Sequence, residues 1–342
     1  MTRRQRLQEQ AHWMDSETIA EAVAAAKRGE SGGRLTLTAA LAWIAYSCVE
    51  ATEPVCDNIF SAWLGSGPTP EIPRDLPSAP LEDSFWDAFW AVVDGHDEGY
   101  DAISITVAVA SLGAALHPDM QALADQHAQN HRGAANAICN PVPDFTDIDA
   151  LAQCPAGSLG LSLHRMIVEN GYDPEVLDRD AIALSDLPHS LHYLNARILQ
   201  MHDVWHLVAG YETTSSNEIA ISSFQLAQFG HNYSSMFLAA VMAISTFKEP
   251  RGFTIFMQIL AEAWQHGRET PVMMDIEWEQ EWDRSLEDIR ARHSIATYES
   301  IFPADLLESI DTASLWRKLT LGYQLIRYNL RLRQNAPLPT AR

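Results

Sequence analysis

Cysteine is scarce in this chain: Cys48, Cys56, Cys139 and Cys154 are the four, with no CxxC pair among them. That fits reduced thiols in a cytosolic compartment better than a disulfide framework. Long apolar runs are missing as well. The nearest approaches, residues 103–116 and 236–247, fall short of the roughly 18 residues a spanning helix needs, so both read as buried helices. Behind Arg3, Arg4 and Arg6 there is no apolar stretch, and Glu9, Asp15 and Glu17 follow soon after. Neither a secretory signal nor a transit peptide is expected, which points to the cytoplasm.

Bases are few. The 23 lysines and arginines face 45 acids, giving a formal net charge of -22. Such a surface repels nucleic-acid phosphates, so no nucleic-acid partner is expected, and it disfavours docking on anionic lipid through a basic patch. Also absent are a GxSxG elbow, a Walker loop and paired Glu-x-x-His motifs.

Sustained period-two alternation is lacking too, and nearly every long segment carries helical periodicity. The expectation is an all-α multi-helix bundle. An Ala/Glu-rich helix over 14–30 ends at Gly32-Gly33, and a more apolar one follows over 34–50. Residues 65–80, with Gly65, Gly67, Pro68, Pro70, Pro73, Pro77 and Pro80, read as a linker. The linker divides an N-terminal segment, 1–80, from a main helical domain, 81–335. In that domain helices are predicted at about 83–95, 101–116, 118–137, 158–169, 187–208, 217–229, 233–247, 252–267, 277–292 and 304–333.

The most informative stretch is His202-Asp-Val-Trp-His206, with Glu218 after eleven further residues. Imidazoles four apart on a helix are turned by about 40° from one another, and Asp203 stays within an arc of roughly 100°. Imidazole nitrogens and carboxylate oxygens are the usual donors to a divalent metal. Gly210 and the polar run Thr213 to Asn217 end that helix and start another, so Glu218 faces back from the adjacent element. The zincin HExxH pattern is approached, with the shorter Asp203 in the place of its glutamate. His127 and His131 are also four apart, but with no acid between them they read as a solvated helical surface. His189 and His192 read as first-turn polar residues, and Trp278 with Trp282 as a half-buried helix. His164 and Asp186 are available to a His-Asp hydrolase site, but no pattern marks them.

The set His202, Asp203, His206 and Glu218 resembles the HDxxH-x11-E signature of the coenzyme Q biosynthesis protein 4 family. Pro155-Ala-Gly-Ser-Leu-Gly160, Arg197, Gly267-Arg-Glu-Thr-Pro271, Glu279-Gln-Glu-Trp282, Ser285-Leu286 and Arg290 are similar in type and spacing to further parts of that family. The chain departs from it at Gln200, where an acid is usual, at Ser216-Asn217 in place of Leu-Gly, and at Ser222 in place of a lysine. It therefore reads as a divergent bacterial-type member. The resemblance implies a helical, dimeric protein at the periphery of the inner (cytoplasmic) membrane. It further implies a divalent metal (zinc, or iron, manganese or cobalt) on His202, Asp203, His206 and Glu218, and a polyprenylated quinone precursor or other isoprenoid lipid as ligand. The implied reaction is a lyase-type oxidative decarboxylation at C1 of a polyprenylated hydroxybenzoate, beside other quinone-biosynthesis proteins. The alternatives are a non-catalytic lipid-binding scaffold and a metal-dependent hydrolase with Asp203 as base. Helices over 236–247 and 253–260 are candidates to line an apolar groove for the isoprenoid, with packed core as the competing reading.

Overall fold

The computed structural model describes residues 1–67, 69–95, 102–175, 177–312 and 315–336. Pro68 of the expected linker, residue 101 of one expected helix and 313–314 of another lie outside the described residues. Among the described residues sixteen α-helices follow in order: α1 (Arg3–Gln10), α2 (Ser16–Lys27), α3 (Ser31–Tyr46), α4 (Thr52–Leu64), α5 (Asp83–Asp94), α6 (Ala102–Ser111), α7 (Asp119–Asn130), α8 (Ile148–Leu151), α9 (Leu159–Asn170), α10 (His189–Ala209), α11 (Ser215–Phe229), α12 (Asn232–Phe247), α13 (Phe253–Glu269), α14 (Leu286–His293), α15 (Leu306–Thr312) and α16 (Leu315–Asn335). The expected all-α class is observed. Among the described residues there is no strand, only an isolated bridge between Ser158 and Ser285. No described helix is long and apolar enough to cross a membrane.

Local chemistry sets the boundaries. Asp15, Ser158 and Ser285 cap α2, α9 and α14 by accepting an orphan amide from the first turn. Gly65, Gly171, Gly210 and Gly230 close α4, α9, α10 and α11 in the left-handed conformation. Three expectations shift. The break after α2 falls at Gly29, whereas Gly32 and Gly33 lie in the first turn of α3. Gly33 is a contact residue: a Cβ there would stand 2.5 Å from Ala22 O and Ala26 N of α2. The helix expected over 277–292 is a 3₁₀ turn at Trp278–Gln280 followed by α14, because the Ser285 hydroxyl takes the Asp288 amide and starts a new helix. And α4 goes unannounced in the sequence, its weak helix formers Pro54 and Asn58 masking it. Pro54 stands in the first turn, where a missing N–H costs little, and the Asn58 amide donates to Pro54 O and Pro70 O, both at 2.7 Å.

The buried side chains form two main cores separated by α11. One joins α1 to α5 with α12, part of α13 and the Ile219, Leu226 and Ala227 face of α11. The other gathers α9, α10, parts of α7 and α13, and the Ala220, Ile221, Phe224 and Phe229 face of the same helix. The described residues of 65–80 carry no regular element. Even so, Ile72 is buried, the Trp13 indole donates to Ile72 O and Pro73 O, and Ser47 and Ala79 exchange two hydrogen bonds of 2.6 and 2.8 Å. The apolar side chains of α12 and α13 named above as groove candidates, among them Met236, Leu238, Met242, Phe253, Met257 and Leu260, pack into the first core.

The crossing of α11 over α13 is close because Gly267 allows it: a Cβ at Gly267 would lie 2.7 Å from Ala227 Cβ and 2.8 Å from Phe224 O. Gly267→Ala is therefore expected to destabilise by about 1–3 kcal/mol, read from the urea midpoint. A second prediction concerns Glu53 of α4. Its carboxylate faces His131 at 3.3 Å and pairs with Arg268. The hydrogen bond with His131 outweighs burial and, with Arg268, pulls its pKa from the usual 4.5 to about 2. A carboxylate depressed in the folded state stabilises the fold above its unfolded pKa, and that contribution is lost as pH falls through about 4.5 toward about 2. Thermal unfolding of Glu53→Gln should accordingly show a shallower fall over that window than the native chain; an identical slope refutes the assignment.

Candidate functional site

The C-terminal half of α10 ends at Gly210, whose φ of 79° turns the chain sharply toward α11. A Cβ there would meet Thr297 Cβ at 2.9 Å, so space and conformation both call for glycine. The turn brings the Tyr211 carbonyl back to within 3.1 Å of His206 Nδ1. With Nδ1–H donating to that carbonyl, His206 Nε2 is the unprotonated nitrogen, a lone pair facing the site. Tyr211 is itself braced. Its hydroxyl meets His266 Nδ1 at 2.8 Å, His266 Nε2 donates to Ala296 O at 3.0 Å, and its ring stacks on Tyr298 at 4.4 Å.

Three of the four sequence-predicted residues, His202, His206 and Glu218, meet at close range, and Asp203 groups with the two histidines but not with Glu218. His202 Nε2 and His206 Nε2 are 3.0 Å apart. The Glu218 carboxylate, from the first turn of α11, lies 3.3 Å from the former and 3.4 Å from the latter. Side-chain donor atoms of His202, Asp203 and His206 all lie within 4.8 Å of one another, the one such grouping among the described residues. Four donors around a small cation at bonds of about 2.0–2.1 Å stand roughly 3.3 Å from each other. The three observed separations match that spacing within a few tenths of an ångström, and the donor chemistry, two nitrogens with carboxylate oxygen, suits a divalent ion. His206 is sealed from solvent, while Glu218 and His202 retain 36% and 25% side-chain exposure, so the cluster opens on that side.

Charge follows the geometry. Burial disfavours a charged His202, but the hydrogen bond and charge of Glu218 outweigh it and raise its pKa. Burial likewise opposes ionisation of Glu218, yet the two imidazoles hold its carboxyl well below the usual range. Asp203 moves the other way: burial raises it, and the imidazoles offset only part of that. The site thus holds one firmly ionised carboxylate and one closer to exchanging a proton.

Sequence reading missed the groups behind His202. Its Nδ1 lies 2.8 Å from the Gln225 amide, and Gln225 continues through Ser234 and His231 to Asn195. The Gln225 Nε2 amide donates to Nδ1, so the His202 proton sits on Nε2 and faces Glu218 and His206; a metal on that nitrogen would displace this proton and turn the amide over so that its oxygen accepts from Nδ1–H. Gln225 stands seven residues after Glu218, two turns along one face of α11, and that spacing is the signal that could have revealed it. His231 is buried, which drives its pKa to about 3 and keeps it neutral in this chain of polar groups.

The remaining motifs support α10. Arg197 is buried and makes two contacts with Glu279, and Arg290 donates to Leu207 O and Val208 O, both at 2.8 Å, covering carbonyls at the end of the helix. Leu159 N and Gly160 N donate to Arg284 O and Trp282 O; a Cβ on Gly160 would meet Cys154 Sγ at 2.6 Å. His127 and His131 depart from the expected solvated surface. Both are buried, packed under Gly230, because their acid, Glu53, comes from a distant helix. Trp278 is fully buried, in a 3₁₀ turn instead of a helix. His189 is the first residue of α10, as expected, and His164 and Asp186 stand outside the site cluster.

A sequence model of the coenzyme Q (ubiquinone) biosynthesis protein Coq4 matches residues 106–299, more than half of the chain and all of the site. The chain belongs to this family. A mitochondrial ubiquinone biosynthesis protein COQ4 of Coprinopsis cinerea is 25% identical over 149 residues, 44% of this chain and 50% of that protein. The COQ4 homolog of Rattus norvegicus is 26% identical over 150 residues, 44% of this chain and 55% of its own length. The chain thus spans about half the length of the curated relatives it matches. A crystal structure of a ubiquinone biosynthesis protein from Nostoc punctiforme is 24% identical with a TM-score of 0.49, covering 62% of this chain and 97% of that one, a likeness too loose to place side chains.

If Gln225 aims His202, then Gln225→Leu should weaken metal retention by roughly 10–100-fold in a chelator competition while leaving the helical circular dichroism unchanged. Unchanged retention would remove Gln225 from the site.

Proposed function

We propose that this chain is a metal-dependent enzyme of ubiquinone biosynthesis that removes the ring carboxyl of a polyprenylated hydroxybenzoate at C1 with oxidation of that carbon. The observation that carries the reading is the convergence of His202, His206 and Glu218 at donor-atom spacing, with Asp203 beside them. These four residues would hold one divalent ion, zinc or iron, manganese or cobalt. When bound, it would act as a Lewis acid toward a phenol or carboxylate oxygen of the ring.

The chain's own groups do the rest. Tyr211 O and Gln225 fix the two imidazoles in one orientation, so the donors cost little reorganisation when charge develops. Glu218, held ionised, supplies negative charge, while Asp203, with its raised pKa, is the group placed to take and return a proton. In the net change the C1–carboxyl bond breaks, CO2 leaves, and C1 gains a hydroxyl. That is a two-electron oxidation and calls for an external oxidant such as O2. The family likeness extends the proposal to a homodimer, peripheral to the inner membrane, working beside other quinone-biosynthesis proteins on an isoprenoid lipid.

A second reading is favoured by one feature: His202, His206 and Glu218 satisfy one another through their own hydrogen bonds and charges. The cluster would then be a structural tie between α10 and α11 in a lipid-binding scaffold.

Elemental analysis separates the two. The native chain should carry about one equivalent of metal per monomer, and His202→Ala/His206→Ala should carry almost none. Full metal content in the double variant refutes the centre. Turnover of a prenylated 4-hydroxybenzoate should fall by at least about 100-fold in Glu218→Ala. A native protein that binds metal but releases no CO2 from any such substrate leaves the scaffold reading standing.

A further inference from the structure

Far from even, the charge of this acidic chain reverses locally at its C-terminal helix. Over Leu315–Asn335, α16 carries Arg317, Lys318, Arg327, Arg331 and Arg333 and no acid at all. Its Leu321, Leu325, Tyr328 and Leu332 face packs on the body of the protein, while Tyr323, Ile326 and Leu330, at i, i+3 and i+7 spacing, stay 61%, 61% and 51% exposed on the opposite side.

Between α16 and the N-terminal helices α2 and α4 lies a cavity of about 400 Å³. Lys27, Trp63, Gln258, Tyr328 and Arg331 line it, and no carboxylate does. Lys27 closes α2 and is only 9% exposed, yet among the described residues its ammonium has a single hydrogen-bond acceptor, Ala62 O at 2.9 Å, with the Trp63 ring 5.7 Å away. An ammonium has three donors, and a buried one without a counter-charge is costly. Its pKa is lowered by burial, with no acid nearby to restore it. Arg331 adds a second cation at the rim, and among the described residues it makes no ion pair. Trp63 Nε1 and the Tyr328 hydroxyl both donate to Gln258 Oε1, at 3.0 and 2.8 Å, which fixes the aromatic walls. Of all the lining residues, only Gln258 lies within the stretch matched by the family model.

We propose that this cavity binds a phosphate group, with Lys27 and Arg331 as its charged donors. The spare N–H groups of Lys27 and the guanidinium of Arg331 meet phosphate oxygens as charge-assisted hydrogen bonds. The phosphate is either a free ion or the headgroup of an anionic lipid, and the exposed Tyr323, Ile326 and Leu330 stripe beside it would enter the bilayer surface in the second case.

The full chain distinguishes these. In one arm, inorganic pyrophosphate is titrated into the protein by calorimetry, with the Lys27 Cε resonance followed in parallel. In the other, flotation with vesicles of phosphatidylcholine containing phosphatidylglycerol is compared with phosphatidylcholine alone. Pyrophosphate binding that weakens at least about tenfold in Lys27→Met/Arg331→Gln supports a free-phosphate site. Retention only on phosphatidylglycerol vesicles, lost in that double variant and in Tyr323→Ser/Ile326→Ser/Leu330→Ser, supports a headgroup site. No binding in either arm, or binding indifferent to the double variant, overturns the proposal. Arg331 is exposed, so Arg331→Gln alone carries the comparison should Lys27→Met fail to fold.

Discussion

One constraint governs the candidate centre: the left-handed turn at Gly210. It stops α10 two turns beyond His202, reverses the chain into α11, and delivers the Tyr211 carbonyl to His206 Nδ1. A neutral histidine can carry its proton on either ring nitrogen until something engages one of them. Here the backbone itself makes the choice, and it is hard to undo because Tyr211 is clamped by His266 and Tyr298. His202 is set by a different device, the amide of Gln225, which rests on a buried relay to Asn195. Glu218 completes the arrangement from the first turn of α11, where a carboxylate also complements the helix dipole.

Around this turn the rest of the fold behaves as support. The segment that follows α13 grips α10 at two points: Glu279 pairs with Arg197 near the middle of the helix, and Arg290 donates to its final carbonyls. Glu281 collects Arg284 and His293 in the same segment. Polar residues spread from Arg197 to His293 therefore serve one helix.

The periodicity of the sequence announced most of the long helices, α5 and α9 to α13 nearly to the residue, because each has a continuous buried stripe and a clear stop. The four site residues were legible for the same reason: they sit on one face of a helix and at the start of the next. What stayed hidden depends on contacts between distant segments. Gly33 looks like a helix breaker and is a packing residue, since nothing in α3 reveals that α2 crosses so close that a Cβ there would stand 2.5 Å from its backbone. His131 looked unpartnered because Glu53 is 78 positions away. Pro54 and Asn58 concealed α4, whose stability comes from burial of Val55, Ile59, Phe60 and Trp63 and not from propensity. The overall charge of -22 likewise hid the wholly basic run of α16.

The double-sided burial of α11 has a consequence for how such a protein arises. The helix that presents Glu218 is packed on one side by the family-matched body and on the other by α12 and α13, whose outer apolar surfaces are roofed by α1 to α5. Those roofing helices precede the residue where the family match begins. They act as a built-in substitute for whatever would otherwise have to shield Met236, Leu238 and Met242 from water. A shortened chain without them would expose that greasy ceiling and would need a protein or lipid neighbour to keep it dry.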